Sequence, residues 1–119
     1  MTKNSATKPT DDSFFVIQFD PPSSSVAAIP TTINITFSQT DLNVPSLNAL
    51  THFNMICNGF AFAAASVVYS SGSIITAVTM PAITGFPSGT VCQFIVSANL
   101  QNSEGVHLSG LRMAEYRLL

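Results

Sequence analysis

The sequence predicts an all-β domain in which two antiparallel sheets pack face to face. Three observations carry that expectation. Apolar and polar residues alternate over short stretches at the two-residue strand period, turn residues separate those stretches, and no segment keeps the 3.6-residue period of a long helix. The clearest alternation covers residues 31–38, where Ile33, Ile35 and Phe37 oppose Thr32, Asn34, Thr36 and Ser38. One face of that strand belongs in a core and the other in water.

Residues 1–12 are polar and aperiodic, as expected of a flexible tail or linker, which leaves residues 13–119 as the domain. Residues 14–19 form the first expected strand, with Phe15, Ile17 and Phe19 on one face and Gln18 on the other. Asp20-Pro21-Pro22 then breaks it, because proline cannot donate to a ladder. The chain passes through residues 26–30 to the strand at 31–38. A long connection follows, in which Pro45-Ser46-Leu47-Asn48-Ala49-Leu50 suits one helical turn with Ser46 as its cap.

The third strand spans residues 52–57, with Phe53, Met55 and Cys57 in phase, and ends at Asn58-Gly59. That dipeptide signals a type I′ hairpin turn, whose two central residues need positive φ. Residues 60–65 suit an irregular segment or a short edge strand. Two further strands, 66–70 and 73–80, flank a second hairpin turn at Ser71-Gly72. A turn-rich stretch leads to residues 90–98, where Cys92, Phe94 and Val96 share a face. A polar loop with two glycines, residues 99–110, precedes the last strand at 113–119. Seven strands so punctuated suit an immunoglobulin-like antiparallel β-sandwich, although the chain has no tryptophan. In such a sandwich the third and sixth strands are antiparallel neighbours, which sets Cys57 beside Cys92. A disulfide and an oxidising compartment are the simplest reading; two buried free thiols are the alternative.

The bulk composition narrows the function classes. The 119 residues suffice for one domain, and only 8% are charged, against roughly a quarter in an ordinary soluble domain. A net charge of −2 without a basic cluster argues against nucleic acid as a partner and offers no polybasic membrane anchor. Apolar runs stop well short of the ~20 residues of a spanning helix, so no membrane insertion is expected. Met1 precedes a polar tail without a signal-type apolar stretch, and the cysteines favour an excised extracellular domain over an intracellular start.

Four stretches resemble, in the right order, the bacterial Ig-like domains first described in S-layer proteins. Ile29-Pro30-Thr31-Thr32-Ile33-Asn34-Ile35-Thr36-Phe37-Ser38 resembles the family's opening strand, and Pro22 matches the proline before it. Val44-Pro45-Ser46-Leu47-Asn48-Ala49 with Phe53 is similar to its connector, and Phe86-Pro87-Ser88-Gly89-Thr90-Val91-Cys92-Gln93-Phe94-Ile95-Val96 to its Gly-Thr strand. Leu100-Gln101-Asn102-Ser103-Glu104-Gly105-Val106-His107-Leu108 stands at its acidic turn, but with Asn102 for the usual Asp and Val106 for the usual Asn. A cation or loop-bracing role for that turn is therefore open. The resemblance implies a non-enzymatic extracellular module, a spacer, stalk or adhesive segment, commonly in tandem arrays.

Candidate sites are few. His52 and His107, the latter near Glu104, are the only residues that could suggest acid–base catalysis, and neither sits in a nucleophile–base–acid pattern. Their spacing with the two cysteines does not suit zinc. Asp20, Asp41 and Glu104 are scattered, unlike a calcium loop, and Asn34-Ile35-Thr36 matches a glycosylation sequon in a strand. No catalytic residue, metal or cofactor is assigned. Phe60 and Phe62 lie outside the alternating strands; they either cap the end of the sandwich core or, with Phe86, form a candidate contact patch.

Between Ser13 and Leu111 the only charges are Asp20, Asp41 and Glu104, too few to guard sheet edges. The expected partners are therefore neighbouring domains or copies of the chain, and the expected location is a bacterial cell surface or the exterior. An adhesive module holding a host or matrix glycan or protein on the end loops 39–50, 58–65 and 99–110 is the rival role.

Overall fold

The computed structural model describes residues 14–27, 32–40, 42–43, 50–69 and 73–118. Nine strands form among them: β1 (Val16–Asp20), β2 (Ser25–Ala27), β3 (Thr32–Phe37), β4 (Phe53–Cys57), β5 (Phe60–Ala63), β6 (Ser66–Tyr69), β7 (Ile75–Thr79), β8 (Val91–Val96) and β9 (Met113–Leu118). Eight of these make two antiparallel sheets of four, ordered β1-β3-β7-β6 and β9-β8-β4-β5. The ninth, the three-residue β2, lies parallel to β9 at the edge of the second sheet. The tail at residues 1–12, the Ser71-Gly72 turn, Asp41 and all but the last residue of the expected helical turn at 45–50 lie outside the described residues. Leu50–His52 is a single 3₁₀ turn leading into β4.

The inner faces of the two sheets share one core. Ile33, Ile35 and Phe37 of β3, Phe53 and Met55 of β4, and Phe94 and Val96 of β8 are fully buried. Phe19 of β1 meets Phe94 of β8 edge to face across the sheets, ring centroids 5.9 Å apart. Over Thr32–Phe37 the expected alternation is thus realised as a buried side and a wetter side.

Nine strands replace the expected seven for two reasons. Residues 60–63 are an edge strand rather than an irregular segment, and residues 25–27 add a short parallel strand. The inward face of β1 also differs from expectation. A bulge between Val16 and Gln18 reverses the side-chain phase within the strand. Phe14, Val16 and Phe19 are therefore buried, while Phe15 and Ile17 are exposed.

The cysteine geometry follows the expected pairing. Cys57 and Cys92 are opposite residues on β4 and β8, bridged by a disulfide with a Cα separation of 4.3 Å. That separation is the close spacing of a non-hydrogen-bonded antiparallel pair. Asn58 and Gly59 turn the chain into β5 with φ of 51° and 86°, as a type I′ turn demands.

Candidate functional site

The three phenylalanines of the candidate patch converge. β5 is paired through its whole length to β4, opposing Phe60 to Cys57 and Phe62 to Met55. Phe60 and Phe62, two residues apart, consequently project from the same face. Phe86 arrives from the loop between β7 and β8, and its ring centroid lies 6.0 Å from that of Phe60 and 6.2 Å from that of Phe62. Phe62 and Phe86 are half-buried against the core, whereas Phe60 is 63% exposed. The cluster therefore seals the sandwich beside the disulfide and also presents one aromatic ring to solvent.

The end loops divide between the two ends of the domain. Asn102, only 2% exposed, organises one end. Its Oδ1 accepts from the backbone N–H of Glu104 at 2.9 Å and of Val106 at 2.8 Å, and its Nδ2 donates to Gln39 Oε1 at 2.9 Å. The backbone N–H of Asn43 donates to the Gln101 carbonyl at 3.1 Å, so Gln39 and Asn43 are tied to the β8–β9 loop. Asn102 thus braces its loop with an amide, whose donor reaches an oxygen that a carboxylate could not serve. Asn58-Gly59 turns at the opposite end, beside Cys57.

At the disulfide end, Tyr116 of β9 is opposite Cys92, so Cys57, Cys92 and Tyr116 form one inward row across three strands. The Tyr116 hydroxyl donates to the Pro21 carbonyl at 2.6 Å. Burial, with a smaller contribution from Asp20, pushes its pKa up to about 12. Neither Tyr116 nor Asn102 was singled out by composition or spacing as a cross-link, because their partners lie 95 and 63 residues away.

The remaining candidates are dispersed. His52 lies in the 3₁₀ turn, and its carbonyl accepts from Ser97 N–H at 2.8 Å. The exposed His107 ring meets the Gln101 amide nitrogen at 3.3 Å. Asp20 ends β1 and Glu104 is exposed in the β8–β9 loop. Among the described residues, no group of three or more His, Cys, Asp or Glu could hold a metal ion. Among them also, no helix is long and apolar enough to cross a membrane. Asn34 and Thr36 sit on a strand flanked on both sides, opposite Asp20 and Ala77 and opposite Gln18 and Ile75 respectively.

The fold has counterparts among solved structures. The fold is similar to the N-terminal part of the bacterial S-layer protein SbsC, with a TM-score of 0.61 and 15% identity over 89% of this chain. It is also similar to a structure of surface layer protein SbsC domains 1–6, with a TM-score of 0.60 and 15% identity over 88% of this chain. A structure of S-layer protein rSbsC(31-844) gives a TM-score of 0.59 and 16% identity over 87% of this chain. The chain spans 23%, 13% and 13% of the lengths of those three proteins. No protein-family model matches the sequence, and no curated protein does. At such identity the likeness is one of fold.

Proposed function

We propose that this chain is a structural, non-catalytic module of a bacterial cell-surface or secreted protein, which spaces or presents neighbouring domains and packs against them. One observation carries the reading. Nearly the whole chain corresponds in fold to a small fraction of a surface-layer protein, as one module of a longer assembly would. The strand order β1-β3-β7-β6 against β2-β9-β8-β4-β5 supports an immunoglobulin-type sandwich, a frame that serves many surface proteins. The disulfide fits an oxidising exterior. Among the described residues, the scattered histidines and carboxylates give acid–base chemistry no assembled centre.

The test is surface labelling of intact cells of the source organism with an antibody raised against this domain. Labelling that disappears when the cells are shaved with protease is the expected result. Labelling that appears only after lysis would overturn the reading.

A further inference from the structure

β5 is a sheet edge that carries neither the charge, nor the proline, nor the bulge by which natural sheets commonly protect their edges. Its sequence, Phe60-Ala61-Phe62-Ala63, contains no charge and no proline, and its pairing to β4 is unbroken by a bulge. The direction of its backbone groups follows from the neighbouring strands. Ala64 N–H donates to the Phe53 carbonyl at 2.9 Å, so Phe53, Met55 and Cys57 turn their backbone groups towards β5. Phe60 and Phe62 answer them. Ala61 and Ala63 therefore direct their N–H and C=O groups away from the sheet, along its open edge. Of the other sheet's two edges, β6 presents one large exposed apolar side chain, Val68, and β1 exposes Ile17 but is broken by its bulge and ends in the charged Asp20.

We infer that the β5 edge is a self-association surface, on which a second copy of this chain pairs its own β5 antiparallel about a two-fold axis at Phe62. The inference rests on the module reading above and names the surface through which copies meet. In this register Ala61 of each copy lies opposite Ala63 of the other, and the two pairs complete four backbone hydrogen bonds. The five-stranded sheets of the two copies become continuous. The Phe60, Phe62 and Phe86 clusters of both copies then adjoin on one face, which covers the exposed Phe60 ring. Charge favours an identical partner over a charged one. The chain has no Asp, Glu, Lys or Arg between Asp41 and Glu104, so the contact brings no like charges together and offers none to an oppositely charged surface.

The experiment is sedimentation of the full chain over a concentration series, with backbone amide exchange read by NMR at both ends of the series. A concentration-dependent dimer is expected, in which Ala61 and Ala63 amides become protected while Phe60 and Phe62 amides are protected at every concentration. Phe60→Lys places a charge on a side chain already in solvent and is expected to weaken the dimer at least about tenfold. Ala61→Pro removes an outward N–H that no strand of its own sheet uses, so the monomer folds and the dimer is lost. A chain that stays monomeric at high concentration overturns the inference, as does a dimer whose Ala61 and Ala63 amides still exchange freely. A monomer that labels on intact cells overturns only the edge pairing. A dimer that labels only in lysates overturns only the cell-surface reading.

Discussion

The Tyr116 hydroxyl donates to the Pro21 carbonyl at 2.6 Å, joining the last strand to the turn that leaves the first. Tyr116 also stands beside Cys92 in the sheet, so this bond extends the disulfide row to the start of the domain. Replacing Tyr116 by Phe keeps the ring and removes only the donor. Chemical denaturation should show a loss of about 1–2 kcal/mol with an unchanged m-value.

The same phenol sets an alkaline limit. Its folded pKa of about 12 exceeds the ordinary value of 10.0. The neutral phenol therefore stabilises the fold fully below about pH 10, and this contribution, on the order of 2 kcal/mol, is lost as pH rises through 12. Phenolate absorbance titrated in the intact chain and in Tyr116→Phe should show the late transition only in the former, and only the former should lose stability across that window.

Thr76 of β7 is fully buried, and its hydroxyl has no hydrogen-bond partner among the described residues. Thr76→Val preserves shape and β-branching while removing the unsatisfied group. Thermal unfolding should report a stabilisation of about 1 kcal/mol; a destabilised variant would contradict the assignment.

The nearly buried side chain of Asn102 makes three hydrogen bonds in an otherwise largely exposed loop. Asn102→Ala leaves two N–H groups and the Gln39 oxygen without it, which should cost about 2–3 kcal/mol. Exchange of the Glu104 and Val106 amides should accelerate well before that of the β8 amides.

Cys57 and Cys92 close a loop with a sequence separation of 35. In the chain-entropy model such a link is worth about 4 kcal/mol. The double variant Cys57→Ala and Cys92→Ala should lose up to that amount in denaturant titrations, and reduction of the native chain should match it.

How far the sequence spoke depended on whether the information was local. Alternation at Ile33, Ile35 and Phe37, and at Cys92, Phe94 and Val96, set those strands and their inward faces because each residue's neighbours carry the period. Asn58-Gly59 fixed a turn through its own backbone needs. The bulge between Val16 and Gln18 was hidden, because one extra residue in β1 is visible only against its partner β3. β2 was hidden too: three residues carry no period, and their pairing to β9 spans most of the chain. In β5 the outward residues are alanines, so both faces read as apolar and the strand lost its signature. Phe60, Phe62 and Phe86 could be named singly, but only the fold brings the loop ring to the strand rings.

The parallel pairing of β2 with β9 gives the domain a mechanical polarity. Tension entering upstream of Ser25 and leaving downstream of Leu118 pulls these two strands along their length in opposite directions. Their rungs, from Ser25–Tyr116 to Ala27–Leu118, are then sheared together instead of being unzipped one by one. A load applied across that span thus falls on every rung of a three-residue seam at once.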